Sequence, residues 1–193
     1  EERRPADLVI EVTHAGTALG TFRRSVDLLA SRQWVRDRRR SNLSLELLAS
    51  FVMPNDPSVA GLVGEARELL RTTTGSASTQ GYQADEARVD AIVEAIYETA
   101  RSRDIGYSEP PPSWDVGDHE EGTDLSQLTR AFGGQKIRTP TEVFDGRVGT
   151  CLDTTVALAS ALEHVGINSL LWIVHGHAFL GYWRTEGLLQ STA

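Results

Sequence analysis

Apolar and polar positions change period three times along this chain, and each change predicts a different kind of element. Leu8-Val9-Ile10-Glu11-Val12 is a β-branched run. After the segment His14 to Gly20, which contains Gly16 and Gly20, Thr21 to Leu29 reads as a second strand folding back on the first, giving a small antiparallel sheet. Trp34-Val35 follows. Asn42 and Ser44 are candidate N-caps for a helix through Leu45, Leu47, Leu48 and Phe51, which Pro54-Asn55-Asp56-Pro57 ends. From Ser58 to Arg71, Val59, Leu62, Val63, Ala66, Leu69 and Leu70 recur at helical spacing. A polar loop over 72–78 separates this helix from a second, starting at Asp85 or Glu86, with Val89, Ile92, Val93, Ile96 and Tyr97 on one face.

Between Ile105 and Thr150 the helical period disappears. Tyr107, Pro110-Pro111-Pro112, Trp114, the acidic run from Asp115 to Asp124 and Gly133-Gly134 describe a long loop, broken by one short helix at Leu125 to Phe132. Loops of that length inside compact domains are uncommon and are often functional. Pro140 to Phe144 predicts a helical turn, and Gly146 to Gly149 a tight reversal. Thr150 stands where an N-cap belongs. Cys151 to Val165 reads as a helix apolar over most of its surface, which predicts a central position, with Gly166 as its stop. Leu170 to Val174 predicts a buried strand, and His177 opens another that carries Phe179, Tyr182 and Trp183.

Composition narrows the function classes. At 193 residues the chain can bury a substantial core, and 40% hydrophobic with 24% charged residues is ordinary globular usage. The formal charge of -8, from 19 basic and 27 acidic residues, repels phosphate backbones, so direct nucleic-acid contact is not expected. The basic cluster Arg36-Asp37-Arg38-Arg39-Arg40 stands alone against that trend, without aromatic interleaving, and reads as a solvated turn or helix end. One cysteine excludes an internal disulfide and a multi-cysteine zinc site, and leans toward a cytoplasmic location. No signal peptide or membrane-length apolar run is present, and no cofactor is expected. The chain begins without Met and stops at Leu188 to Ala193 without an obvious cap, which reads as a piece of a longer protein.

The candidate chemistry lies at Cys151. A thiol in the first turn of a helix faces unsatisfied amide N–H groups and the positive end of the dipole, and both favour the thiolate. Gly149 and Thr150 let the chain turn tightly into the helix with the sulfur at its tip. The bland alternative is a small core hydrophobe. His177, 26 residues later on a strand, is the candidate base, preferred over His175 because Gly176 separates the two. Glu186 is the candidate third member that orients the imidazole. Asp153 reads as a first-turn acid that favours the helix dipole and points away from the histidine. Gln135 and Trp114 are candidate oxyanion donors from the preceding loop, beside the Cys151 N–H. A metal site of Cys151, His175 and His177 has usable ligand types but is the weaker alternative.

Gly149-Thr150-Cys151-Leu152-Asp153, the apolar helix leaving through Leu162-Glu163-His164-Val165-Gly166-Ile167, and His177-Ala178-Phe179 together resemble the transglutaminase-like superfamily over Thr139 to Trp183. Its members share a G-x-C-x-D helix start, an L-x-x-x-G-I exit and an H-A-aromatic strand. Trp34, Leu48 to Asn55, Gly81-Tyr82-Gln83, Tyr107 with Pro110-Pro111, and Gly134 to Pro140 look like the transglutaminase-like region of very large bacterial proteins that also carry helicase-like and nuclease-like domains. The resemblance implies an α+β, papain-like core in which a central helix carrying the cysteine packs on an antiparallel sheet. It implies Cys151 as nucleophile, His177 as base and an acid about 15 residues past the histidine, where this chain has Thr192; either Glu186 or a residue beyond the end of the chain would then serve, or the site is incomplete.

The expected organisation is a β-rich extension over 1–40 and a transglutaminase-like domain over 41–193. The expected activity is thiol-dependent hydrolysis of an amide or peptide bond, with a protein or peptide as substrate. The alternative is a protein-interaction or regulatory module that keeps the core without turnover, contacting neighbouring domains of a longer chain.

Overall fold

The structure, a computed structural model, describes residues 4–28, 31–34, 45–109, 135–174 and 176–186. The chain divides into two compact units, Glu1–Gln33 and Trp34–Ala193.

The first unit is a long hairpin of β1 (Arg4–His14) and β2 (Thr17–Leu28) in antiparallel register, with Ile10 opposite Phe22 and Ala6 opposite Val26. The strands reach further than their β-branched centres predict. The reversal is confined to Ala15-Gly16, both at positive φ (46° and 81°), the two-residue geometry whose twist matches the flanking strands. The seven-residue turn expected over His14 to Gly20 is therefore mostly strand. Alternation places Leu8, Ile10, Val12 and Phe22 on one face, and Asp7, Glu11, Thr21 and Arg23 on the other.

The second unit is α+β. Leu45 and Glu46 are helical, and Leu47–Phe51 continues them as a 3-10 segment, a tight form common in pieces this short. The candidate caps Asn42 and Ser44 lie outside the described residues. Helix α1 (Pro57–Thr74) starts behind Asp56, whose carboxylate accepts the Ser58 N–H at 2.9 Å, and has Pro57 in its first turn, where a missing N–H costs nothing. Helix α2 (Glu86–Ser102) is capped by Asp85, as the sequence predicts. A short strand β3 (Gly106–Tyr107) pairs in parallel with β4 (Val148–Gly149). Between them in sequence, α3 (Pro140–Phe144) begins with a reciprocal capping box of Thr139 and Glu142. The short helix expected at 125–132 lies outside the described residues.

Helix α4 (Cys151–His164) occupies the centre that its composition predicts. Ala157, Ala161 and Leu162 join a core with Val59 and Leu62 of α1, Ile92 and Ile96 of α2, and Phe144 of α3. Leu152 and Val156 belong to a second cluster with Trp34, Leu48, Phe51, Ile137 and Ala178. Removing a side chain the size of Leu152 or Leu162 from water contributes about 1.5–3 kcal/mol. A buried polar side chain serves the same packing: Ser160 Oγ accepts the Met53 N–H at 2.9 Å and so ties the segment before α1 to α4.

Strands β5 (Ser169–Val174) and β6 (His177–Tyr182) form an antiparallel pair that packs on α4. The continuous apolar run of β5 predicts a strand buried on both faces. Instead Trp172 and Val174 are about half exposed, while Ala178 of β6 is buried. A single helix layer covers one face of this pair, so alternate side chains face outward.

Candidate active site

The approach to α4 explains why its sequence begins as it does. Gly149 is buried, and a Cβ there would stand 3.1 Å from Thr154 Oγ1 and 3.4 Å from Asp153 Cβ, so any other residue would press on these side chains by a few tenths of an ångström. Thr150 Oγ1 then accepts the Asp153 N–H at 3.1 Å, and the Asp153 carboxylate accepts the Thr150 N–H at 2.9 Å. This capping box leaves Cys151 as the first helical residue. Among the described residues nothing accepts a hydrogen bond from the N–H of Cys151 or Leu152. They are the orphan donors that any helix start presents. Cys151 is the chain's one cysteine, a free thiol that is partly exposed.

Asp153 does more than complement the helix dipole. Its side chain is fully buried and accepts the Arg138 N–H at 2.9 Å and the Arg138 Nη1 at 2.7 Å, besides Thr150. These bonds dock the segment before α3 onto the tip of α4. Gln135 lies in that segment, 2% exposed. Its Nε2 sits 3.5 Å from Thr150 Oγ1, and its Oε1 has no partner. An amide with an unused polar atom thus lies buried against the residue that precedes the thiol.

His177 is on the neighbouring strand, with its ring turned outward. The residue is exposed, and its imidazole stacks on Phe179 at 6.4 Å between centroids and 28° between planes; Phe179 stacks in turn on Trp172 at 6.2 Å and 8°. Cys151 and His177 share no hydrogen bond. The backbone nevertheless brings the start of β6 to this end of α4, because Ala178, the next residue, is buried in the cluster against which Cys151 packs.

Glu186 is not brought to His177. It is exposed and lies past the far end of β6, a strand about 17 Å long. Its charge acts instead on Tyr82. Burial raises the pKa of that phenol, Glu163 and Glu186 add to the rise, and the hydrogen bond from the Asn168 N–H opposes it. Trp114 and His175 lie outside the described residues. Among the described residues no group of three or more His, Cys, Asp or Glu side chains could hold a metal ion, and no helix is long and apolar enough to cross a membrane.

Searches of family models, curated proteins and solved structures found no match for this chain. Geometry and sequence motifs therefore carry the functional argument.

Two residues important to the site's framework escape sequence reasoning. Arg138 is one; it reads as a surface cation until Asp153 is seen beneath it. Tyr82 is the other. Its hydroxyl donates to Trp183 O at 3.0 Å and accepts the Asn168 N–H at 2.9 Å, closing the end of the β5–β6 pair opposite His177. Neither contact has a local signal, since Tyr82 and Trp183 are 101 residues apart.

Proposed function

We propose that the second unit is a transglutaminase-like domain that hydrolyses amide or peptide bonds through Cys151. The observation that carries this reading is the helix start: a partly exposed thiol at the first position of α4, beside two backbone N–H groups that nothing among the described residues engages. A nucleophile needs a stabilised anion, and these donors supply that stabilisation. The same donors suit the negative charge that develops on a carbonyl oxygen during attack.

In the proposed reaction Cys151 Sγ adds to the substrate carbonyl carbon. The C–N bond breaks, the amine leaves with a proton delivered by the His177 imidazolium, and a thioester remains. Water then loses a proton to the imidazole and adds to the thioester. The C–S bond breaks, releasing the acid and returning the sulfur as thiolate. For these transfers the His177 ring leaves Phe179 and turns toward the sulfur.

One observation favours a second reading. The outward stack of His177 on Phe179 suits a domain that keeps this core for contacts with other proteins and carries out no turnover. Incubation with a complex peptide mixture, read by mass spectrometry against the Cys151→Ala variant, separates the two. Cleaved or deamidated peptides produced by the native chain alone support hydrolysis. Identical product profiles from both proteins favour the module.

A further inference from the structure

Arg138 pairs with an acid that works against the chemistry just proposed. The Asp153 carboxylate is two residues from Cys151 and bonded to the Thr150 N–H, so a full negative charge sits at the helix end where a thiolate would form. Uncompensated, it opposes the dipole on which that thiolate depends. The Arg138 guanidinium, 2.7 Å from Asp153 Oδ2, supplies the opposing charge. The bond from the Arg138 backbone to Asp153 Oδ1 also fixes the segment that carries Gln135 against Thr150.

Lys136 and Glu142 lie 3.9 Å apart and offset each other. His177 comes from β6. The 3-10 turn and β5 contribute Leu48, Phe51, Leu171 and Ile173 to the apolar cluster beside Cys151.

We propose that Arg138 is a positioning residue of the Cys151 site: by cancelling the buried charge of Asp153 and docking Gln135 on the helix tip, it keeps that tip electropositive toward the thiol. This rests on the reading of Cys151 as nucleophile.

The test is iodoacetamide alkylation of Cys151 across pH in the native chain and in the Arg138→Gln, Arg138→Lys and Asp153→Asn variants, with N-acetylcysteine as the free-thiol standard. Removing the cation should move the half-maximal pH up by about one unit, a roughly tenfold slower reaction at pH values below both midpoints. Arg138→Lys should restore most of the native profile. Asp153→Asn, which removes the anion and keeps the shape, should move the profile the opposite way. Loss of structural support alone would shift Gln and Asn variants in the same direction, and that result overturns the proposal. It also fails if Arg138→Gln leaves the profile unchanged while the native thiol outreacts the standard, an outcome that spares the nucleophile itself. A native thiol matching N-acetylcysteine at every pH would remove both. Should Arg138→Gln fail to fold, the opposite displacement in Asp153→Asn, with a native profile in Arg138→Lys, decides the matter.

Discussion

The two ends of helix α4 are built to different purposes. At the C-terminal end the polar side chains are engaged. Glu163 accepts from both the backbone and hydroxyl of Ser169 at 2.8 Å, the His164 ring meets Pro54 O at 2.7 Å, and the Tyr82 hydroxyl bridges Asn168 and Trp183. A cavity of ≈ 450 Å³ opens there, lined by Leu45, Glu46, Ala49, Val52, Glu163 and Leu170, and the Glu163 carboxylate on its wall is engaged by Ser169. At the N-terminal end the framework is just as tightly bonded, through Thr150, Asp153 and Arg138. Within that framework, however, the Gln135 oxygen has no partner, and among the described residues nothing accepts a hydrogen bond from the first two amide donors of the helix. Native interiors rarely leave a buried polar atom unused, and the Gln135 oxygen sets this end apart from the other.

The comparison can be broken most forcefully at Asp153. Asp153→Ala leaves the buried Thr150 N–H and the partly exposed Arg138 guanidinium without their acceptor, and should cost about 3 kcal/mol in urea unfolding. Leu162→Ala, fully buried toward the other end, should cost about 3 kcal/mol by opening a cavity, without changing the alkylation profile of Cys151. Equal effects on that profile would remove the distinction between the ends.

A gentler pair sharpens the contrast. Thr150→Ala removes the N-cap bond and should lower stability by about 1 kcal/mol, with slower alkylation as the first turn frays. Tyr82→Phe deletes the bridge at the far end at a similar cost of about 1 kcal/mol, and should leave alkylation as it was.

The smallest effect concerns Asp56, away from both ends. Burial tends to raise its pKa, but hydrogen bonds from Thr141 and Ser58 outweigh burial and hold it below the usual 3.8. A depressed carboxylate stabilises the fold when ionised. That contribution is complete above the unfolded-state value and is lost as pH falls through the lower folded-state value. Melting temperature measured between about pH 5 and pH 2 should therefore fall less steeply in Asp56→Asn than in the native chain.

Much of this framework is legible along the chain because its signals are local. Helices α1 and α2 announce themselves by period, and Thr150 stands directly before an apolar helix with an acid three residues on, which is a capping box in outline. The β5–β6 pair is equally visible as two apolar runs around Gly176. What fails is whatever depends on neighbours in space. The apolar run of β5 says nothing about whether one face or two will be covered, and the turn at Ala15-Gly16 uses an alanine at positive φ, for which composition offers little warning. The site divides in the same way. Cys151 and Thr150 are placed by their own helix and could be read directly. Arg138 acquires its importance from a carboxylate 15 residues away, and the orientation of the His177 ring is set by Phe179 and Trp172, which the histidine's position in a motif does not reveal.

The central claim is that the thiol of Cys151 works with the imidazole of His177, although that ring rests on Phe179 in this structure. Its most direct test is the rate of Cys151 alkylation by iodoacetamide as a function of pH, in the native chain and in His177→Ala. The account predicts a native thiol that reacts well below the pH range of a free cysteine, and a profile that moves to higher pH when the imidazole is removed. Superimposable profiles from the two proteins would contradict it.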